Sequence, residues 1–296
     1  MKISVIIPTH KRHQQLEKLL KSIEKQLIEK EEFEVLVVTN LKDHYLERVE
    51  FRARYPNLNL NIHCAGRLGV NRSRNLGIQK AKSPLALLID DDCLLSDEHY
   101  LEKIINCHKN NPNAVAIGGT YTVGSDEEPI DLAYNVVARY WQSLDSLGVY
   151  NSSRLVGGNV SYKVLPLIQS GQLFDEDILF GGTESEFHYR LNQQGIETLY
   201  FSSLKVTHKT KLTVNDLISK SYKQALAKTQ YKIDDGYSLE NQRSYHTPRY
   251  IWAKQLAKSE DRFNDVVLFM ELYDWAYNYT CQNPGLSERQ LARHVV

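Results

Sequence analysis

The chain has 296 residues, which is enough for one large domain or for one domain with an appendage. Its 36 basic residues (Lys and Arg) equal its 36 acidic residues (Asp and Glu), and this near-zero net charge argues against a general nucleic-acid binder. No apolar stretch approaches the length that spans a bilayer, and the first residues lack the features of a signal peptide. The four cysteines form no CxxC pair, so we expect a reducing compartment, the cytoplasm.

The first ninety residues predict alternating strands and helices. Uninterrupted apolar runs predict strands buried on both faces, and apolar residues at helical spacing, such as Leu16, Leu20 and Leu27, predict amphipathic helices. The predicted strands are 3–7, 33–38 and 85–89, with a half-exposed strand at 58–62 where apolar residues alternate with asparagine, and the predicted helices are 16–27 and 71–82. This alternation indicates an α/β fold with a mostly parallel central sheet flanked by helices.

The pattern continues to about residue 211 and then changes. Here we predict helices at 100–108, 132–144 and 183–194, strands at 114–117, 199–201 and 206–208, and a strand-like segment at 157–161. From residue 212 the pattern is helical and rich in tyrosine, with breaks predicted at 234–236 and at Thr247-Pro248. We therefore predict an α/β domain at 1–211 and a helical C-terminal extension at 212–296.

Three consecutive acidic residues, Asp90, Asp91 and Asp92, follow the predicted strand at 85–89. Open α/β sheets bind ligands at the carboxyl ends of their strands. Three carboxylates side by side in a half-dry crevice need a cation, and a hard divalent metal that also binds a phosphate would supply it. The alternative is a solvated acidic turn. Because side chains alternate along a strand, Asp90 and Asp92 would share one side and Asp91 would point to the other.

The stretch from Thr183 to Glu186 has the pattern of a helix capping box, with Thr183 as the N-cap. Glu184 then lies in the first turn, where the helix dipole favours its charged form. Two glycines before this stretch leave room for a ligand, so Glu184 is a candidate general base. The alternative is that both glutamates only cap the helix.

His208 closes a short apolar strand, and a neutral imidazole is a common metal ligand. Asp92 and His208 would share one ion if the ends of their strands converge, and ordinary packing is the alternative. Arg72 and Arg74 lie at the start of a predicted helix, where a guanidinium could bind phosphate. The loop before that helix has no GxGxxG or GxxxxGKS/T fingerprint, which argues against a dinucleotide enzyme and against a P-loop ATPase.

Four blocks of sequence, in this order, resemble the inverting glycosyltransferases of family 2, which have the GT-A fold. The blocks are 4–9 with the helix that follows, 73–78 with 88–92 (like the family's ARNxGI segment and DxD motif), 157–159 with 174–176 and 181–190 (like its acceptor-side block and "ED" motif), and 206–208 (like its late V-x-H). The resemblance implies the GT-A fold. It also implies that a sugar is transferred from a nucleotide sugar to an acceptor hydroxyl with inversion.

The resemblance further implies roles for individual residues. Asp90 and Asp92 would bind a Mn or Mg ion that bridges the donor diphosphate, and His208 would complete the metal ligands. Glu184 stands where the family has its catalytic Asp. The nucleotide would be held by Pro8, Thr9, Arg12, Asn40, Arg74, Asp90 and Asp91, and the acceptor side would be formed by Gly157, Gly158, Asn159 and Gly182.

Two positions depart from the family pattern. Asn40 ends the second strand, where the family usually has an acid that reads the nucleobase, so Asn40 would read it through amide hydrogen bonds or the base differs. Thr183-Glu184 replaces the "ED" pair, and Glu is one methylene longer than Asp. Glu186 is the competing base, but it lies about 200° round the helix from Glu184, so both cannot face the pocket.

We therefore expect a metal-dependent glycosyltransferase that uses a nucleotide sugar, UDP-sugar being favoured, and a glycan, lipid-linked or other hydroxyl acceptor. The alternative is a degenerate transferase that only binds nucleotide sugar or glycan. A sugar nucleotidyltransferase is less favoured because the loop after the first strand lacks glycine, and a hydrolase with an Asp nucleophile because its acid should end the first strand. The C-terminal extension would line an acceptor cleft, contact a partner or the inner face of the membrane, or simply pack as helices.

Overall fold

The fold is that of a computed structural model, which describes residues 1–123, 127–143, 149–151, 155–178, 181–209, 211–231 and 242–293. The strands are β1 (Ile3–Thr9), β2 (Phe33–Thr39), β3 (Leu60–Cys64), β4 (Leu85–Leu88), β5 (Cys93–Leu94), β6 (Ala116–Thr122), β7 (Val149–Asn151), β8 (Val160–Lys163) and β9 (Thr198–His208). The helices are α1 (His13–Ile23), α2 (Val49–Ala53), α3 (Val70–Lys80), α4 (Tyr100–Asn110), α5 (Pro129–Ser143), α6 (Val164–Gln169), α7 (Thr183–Gln193), α8 (Val214–Tyr231), α9 (Gln242–Ala257), α10 (Glu260–Gln282) and α11 (Glu288–Arg293).

Within these residues, nine strands form one sheet in the order β3-β2-β1-β4-β8-β6-β9-β5, with β7 paired to β9. The first four strands are parallel to one another. β8 is antiparallel to both of its neighbours, and β5 and β7 are antiparallel to β9. The predicted α/β class is confirmed, and the sheet is mixed, with the carboxyl ends of β1, β2 and β4 side by side in its parallel half.

Alternate residues of β1 enter two hydrophobic cores, which explains why this strand is apolar at nearly every position. Ile3, Val5 and Ile7 pack with α1 and α4 in one core. Ile6 packs with Ile78 of α3 and with residues of α6 and α7 in the other. Strands that are buried on both faces leave little room for polar side chains. The acidic residues after β4 therefore begin where the chain leaves the core.

The chain divides into two compact units, 1–121 with 146–208 and 122–145 with 209–296. α5 therefore groups with the C-terminal helices, although the sequence prediction placed it in the first domain. The core of this second unit includes Val136 and Val137 of α5 and Met270 of α10. Among the described residues, no helix combines the length and the hydrophobicity that crossing a membrane requires. Every predicted site residue belongs to the first unit.

Two predicted strand boundaries are wrong, one in β6 and one in β9. β6 continues through Gly118 and Gly119, which were expected to end it. A Cβ atom at Gly119 would lie 2.0 Å from the carbonyl oxygen of Leu204, so glycine is needed where the two backbones approach each other. The segments predicted as separate strands at 199–201 and 206–208 are one continuous strand, β9.

Two predicted helix limits also differ. Leu27 lies beyond the end of α1 and is exposed. α9 passes through Pro248, where a break was predicted. The other predicted break, at 234–236, lies outside the described residues.

Two buried histidines lie beside the sheet. His108 Nε2 is 2.8 Å from Ser161 Oγ, and His188 Nε2 is 2.7 Å from the Tyr162 hydroxyl. The Nδ1 atom of each ring is buried without a hydrogen-bond partner in the described part of the chain. Burial lowers the pKa of His108 to about 4 and that of His188 to about 3, so both rings are neutral near pH 7.

These histidines should make the fold less stable in mild acid. An unfolded histidine has a pKa of about 6.5, so below that pH the unfolded chain binds protons that the folded chain rejects. Each histidine should cost about 2 kcal/mol of unfolding free energy between pH 7 and pH 5. Urea unfolding at both pH values should show that His108→Gln loses about 2 kcal/mol less than the wild type, and an equal loss would contradict the assignment of a buried neutral ring.

Candidate active site

The carboxyl ends of β1, β2 and β4 bring three loops together. Thr9 of β1 pairs with Thr39 of β2, and the N–H of Asn40 donates to the carbonyl oxygen of Thr9 at 3.4 Å. Ile6 of β1 pairs with Leu88 of β4, so the acidic segment emerges beside the end of β1. Parallel sheets bind ligands at this kind of edge.

Asp91 is bound by the protein itself. Thr9 Oγ1 donates to Asp91 Oδ2 at 2.7 Å, and Arg12 Nη1 donates to Asp91 Oδ1 at 3.0 Å. Burial, followed by the neighbouring Asp92 carboxylate, raises the pKa of Asp91 to about 6, although both hydrogen bonds oppose this shift. Asp91 therefore anchors the acidic segment to β1, and its role toward the nucleotide stays a prediction.

The pairing of two short antiparallel segments brings Asp92 and His208 together. Cys93 of β5 pairs directly with His208 of β9. His208 Nε2 lies 3.3 Å from Asp92 Oδ1, and Arg12 Nη1 donates to Asp92 Oδ2 at 2.8 Å. Sequence reasoning left open whether these two strand ends converge, and in the structure they meet.

A divalent ion fits this pair. Asp92, Cys93 and His208 each place one potential ligand atom within 4.8 Å of the others. A carboxylate and an imidazole suit a first-row ion such as Mn²⁺. Burial raises the pKa of the Cys93 thiol well above its usual value, and its Sγ lies 3.7 Å from the Gly158 carbonyl oxygen. A soft sulfur ligand does not suit Mn²⁺ or Mg²⁺, so Asp92 and His208 are the residues that would hold the ion.

Tyr121 belongs to this site although no sequence motif marks it. Its ring stacks on that of His208, with centroids 4.4 Å apart and an interplanar angle of 15°. Its hydroxyl accepts from the N–H of Gly158 at 3.0 Å and lies 3.5 Å from Asp90 Oδ2. Burial, followed by the Asp90 carboxylate, raises the pKa of Tyr121 well above its usual value. Tyr121 therefore stays protonated and fixes the plane of the His208 ring.

Arg74 is a buried cation shared by several groups. Its Nη1 atom lies 2.7 Å from Glu184 Oε1 and donates to Thr183 Oγ1 at 3.1 Å. Its Nη2 atom donates to Asp90 Oδ1 at 3.4 Å. The guanidinium carbon lies 5.4 Å from the centroid of the Phe174 ring, and only 2% of Arg74 is exposed. The guanidinium of Arg74 thus contacts both the acidic side chains and the ring of Phe174.

Glu184 is held in its ionised form. Burial is the largest influence and would raise the pKa of this carboxyl, but the charge of Arg74 and hydrogen bonds to the carboxylate together outweigh it, and the net shift is downward. The Glu184 side chain is nevertheless 25% exposed. An ionised carboxylate that is open to a ligand can accept a proton.

The predicted capping box is wrong. The N-cap of α7 is Gly182, whose φ of 65° lies in the left-handed region that favours glycine. Thr183 instead accepts a hydrogen bond from Arg74. Glu186 Oε1 pairs with Arg190 Nε at 2.7 Å, one turn along the helix. Glu186 is occupied by this pair, which leaves Glu184 as the acid that α7 presents to the site.

Gly157 and Gly158 pack directly against charged groups. A Cβ atom at Gly157 would lie 2.0 Å from Glu184 Oε1 and 2.4 Å from Arg74 Nη2. A Cβ atom at Gly158 would lie 2.5 Å from Asp90 Oδ2. Both positions therefore exclude a side chain, and their role toward an acceptor stays a prediction, as does that of Gly182.

The Asn159 side chain is turned into the core, and its role as an acceptor-side residue stays a prediction. The side chain is fully buried. Its Nδ2 donates to the carbonyl oxygens of Thr120 at 3.0 Å and Leu204 at 3.1 Å, and its Oδ1 accepts from the Tyr100 hydroxyl. The amide thus joins β6, β9 and α4, because all of its groups are used inside the core.

The remaining residues predicted to bind the nucleotide lie along the same edge. Pro8 is buried within β1. Ser73 Oγ donates to Asn40 Oδ1 at 2.7 Å, which orients the amide after β2. The Arg12 side chain is 52% exposed. Pro8, Asn40 and Arg12 remain candidates for the nucleotide side.

The family of the chain follows from its sequence match. Residues 4–166 match the model of the family described as "Glycosyl transferase family 2", which is more than half of the chain. The chain belongs to this family. It is therefore a glycosyltransferase, and the predicted membership of family 2 is confirmed.

Two curated relatives differ in how much of them the chain matches. Poly(ribitol-phosphate) beta-N-acetylglucosaminyltransferase TarP of Staphylococcus aureus is 21% identical over 297 residues, which cover 94% of this chain and 87% of TarP. Glucosyl-dolichyl phosphate glucuronosyltransferase of Haloferax volcanii is 27% identical over 124 residues, which cover 40% of this chain and 38% of that enzyme. The second match therefore spans less than half of that relative.

Solved structures share the fold. A mannosyltransferase from Pyrobaculum calidifontis, in complex with GDP-Man and Mn²⁺, superposes with a TM-score of 0.66 at 14% identity, over 95% of this chain and 87% of that one. Staphylococcus aureus TarS 1–349 in complex with UDP has a TM-score of 0.53 at 15% identity, over 96% and 92%. The predicted GT-A fold with a helical C-terminal region is thus confirmed.

Asp91 and Asp92 should respond in opposite ways to mutation in metal-free protein. Asp91→Ala leaves the buried Thr9 hydroxyl without its acceptor and removes one of the two acids bound by Arg12, so Tm should fall by several degrees. Asp92→Asn keeps the shape and removes a charge that raises the pKa of Asp91, so Tm should be no lower than that of the wild type. Thermal unfolding in EDTA measures both, and equal destabilisation would refute the division into an anchoring and a ligand-binding acid.

Proposed function

We propose that this chain transfers a sugar from a nucleoside diphosphate sugar to an acceptor hydroxyl with inversion, in a reaction that needs Mn²⁺ or Mg²⁺. One observation carries the proposal. An ionised, partly open carboxylate, Glu184, lies on the same sheet edge as the Asp92–His208 pair, and Arg74 bridges Glu184 to Asp90. A base and a cation site side by side are what such a displacement requires.

The donor is a nucleotide sugar, with UDP-sugar favoured. TarS is known in complexes with UDP and with UDP-GlcNAc, and the mannosyltransferase in complex with GDP-Man. Asn40 lies after β2 with its amide oriented by Ser73, where it would hydrogen-bond the base. Thr9 and Arg12 lie beside it at the edge where the diphosphate would bind.

Asp92 and His208 would hold the metal ion, with Asp90 beside them. When bound, the ion offsets the charge that develops on the departing nucleoside diphosphate. The protein supplies the orientation, because Tyr121 stacks on His208 and Arg12 holds Asp92. Mn²⁺ is supported by its presence in the related mannosyltransferase.

Glu184 would act as the general base. Its carboxylate accepts the proton of the acceptor hydroxyl while that oxygen forms a bond to the anomeric carbon. The bond between that carbon and the diphosphate oxygen breaks on the opposite face, so the configuration inverts. The electron pair leaves with the nucleoside diphosphate, and Glu184 carries the proton until solvent removes it.

The acceptor is a hydroxyl compound of the glycan or lipid-linked class. The relatives named above act on a ribitol phosphate polymer and on a dolichyl phosphate sugar, as their names state. We place the enzyme in the cytoplasm, where nucleotide sugars are made, with peripheral contact to the membrane through residues 212–296 if the acceptor is lipid-linked.

The donor is tested by a thermal-shift screen of nucleotide sugars with and without Mn²⁺. One class of nucleotide sugar should raise Tm in the presence of Mn²⁺, and the shift should be much smaller in EDTA. A shift that is the same in EDTA would contradict the metal site. The absence of transfer and of slow donor hydrolysis with every donor that binds would instead indicate a binding module.

The base is tested by Glu184→Gln. Transfer should fall at least about 100-fold while the donor Kd changes less than about threefold, because the amide keeps the shape and cannot accept the proton. Glu186→Gln, on the same helix but paired with Arg190, is the matched control and should keep most activity. If Glu184→Gln turns over normally, the base is another group.

A further inference from the structure

The sequence resemblance assigns Arg74 to the nucleotide, but the protein itself uses the nitrogen atoms at the end of this side chain. Nη1 contacts Glu184 and Thr183, and Nη2 contacts Asp90. The geometry points to a different role: Arg74 is a positioning residue that fixes the carboxylate of Glu184 for catalysis. This inference rests on the proposed function, in which Glu184 is the base.

The contact distances favour Glu184 as the main partner of Arg74. Nη1 to Glu184 Oε1 is 2.7 Å, which is a strong charge-assisted contact, whereas Nη2 to Asp90 Oδ1 is 3.4 Å and weaker. Thr183 accepts from the same Nη1 and carries no charge. No second acid from α7 therefore competes with Glu184 for this guanidinium group, because Glu186 is paired with Arg190.

Arg74 can position another group because it is itself immobilised. Its guanidinium lies over the ring of Phe174. The backbone of Phe174 is tied to α3 by Asn75, which accepts from the Phe174 N–H at 3.0 Å and donates to its carbonyl oxygen at 2.9 Å. Arg74 and the Phe174 ring are thus both held by α3. A planar guanidinium held in this way fixes the direction of its hydrogen bonds.

Gly157 supplies independent evidence that the pair is tightly enclosed. A single Cβ atom there would collide with both partners, at 2.0 Å from Glu184 Oε1 and 2.4 Å from Arg74 Nη2. The backbone of Gly157 therefore packs directly against the ion pair. A side chain at this position would force the two groups apart.

Positioning by Arg74 matters here because the proposed base is a glutamate. Glu has one more rotatable bond than Asp, so its carboxylate samples more positions unless contacts restrain it. A displacement of about 1 Å in a reacting group can cost about 100-fold in rate. The contact with Arg74 selects one position of the longer side chain.

The first test separates positioning from nucleotide binding. Arg74→Met should lower kcat about 100-fold and change the donor Kd by less than about threefold. Arg74→Lys keeps the charge without the planar fork and should recover part of the loss. Lys80→Met, an exposed residue at the end of the same helix, is the control for loss of a positive charge and should behave as wild type. A donor Kd raised tenfold or more with normal kcat would assign Arg74 to the nucleotide instead, and normal values of both would also overturn the inference.

The second test breaks the same ion pair without substituting either Arg74 or Glu184. Gly157→Ala should reproduce the loss in kcat, and Gly285→Ala, where nothing lies within 4 Å of the added Cβ, should not. The Arg74→Met, Gly157→Ala double variant should be no slower than the slower single variant, because both changes remove one interaction. Losses that multiply would show that the two residues act independently.

These outcomes are distinguishable from failure of the proposed function. Transfer by the wild type and its loss in Glu184→Gln establish that function before the Arg74 variants are read. If the wild type transfers no sugar, crystal structures of the wild type and Gly157→Ala still decide the geometry. The Arg74–Glu184 contact should be intact in the wild type and broken in Gly157→Ala. A contact that is intact in both structures would overturn the inference that Arg74 and Gly157 position Glu184.

Discussion

The crowding of negative charge at one edge of the sheet is the constraint on which the site depends. Asp90, Asp91, Asp92 and Glu184 meet there, and the guanidinium groups of Arg12 and Arg74 are the cations paired with them among the described residues. Carboxylates crowded together in a partly buried site disfavour one another's charged form, and a divalent cation would offset that repulsion.

The two arginines divide this edge into halves with different chemistry. Arg12 bonds Asp91 and Asp92 and is half exposed, so the half that faces His208 stays accessible to an ion and a diphosphate. Arg74 is buried and holds Glu184 ionised, so the other half presents a base. Under the proposed function, these halves would be the leaving-group side and the acceptor side of an inverting displacement.

The sequence predicted what depends on local pattern and could not predict what depends on tertiary approach. The acids after β4 could be placed because an apolar strand ends where the charges begin, and α/β alternation then puts them at a ligand edge. The contact of His208 with Asp92 depends on the pairing of β5 with β9, which no local pattern encodes. Thr183 fits a capping pattern, yet its hydroxyl accepts a hydrogen bond from Arg74, which is distant in sequence. Asn159 fits an acceptor motif, yet three neighbouring elements use its amide in the core.

The central claim is that a divalent ion binds at Asp92 and His208 and offsets the negative charge crowded there. Pulsed electron paramagnetic resonance of Mn²⁺, bound in the presence of a nucleoside diphosphate, tests this claim most directly. The account predicts one ion per chain with a coupling to a histidine nitrogen. That coupling should vanish in His208→Ala and persist in Glu184→Gln. A bound ion that shows no nitrogen coupling in the wild type, or an unchanged coupling in His208→Ala, would contradict the account.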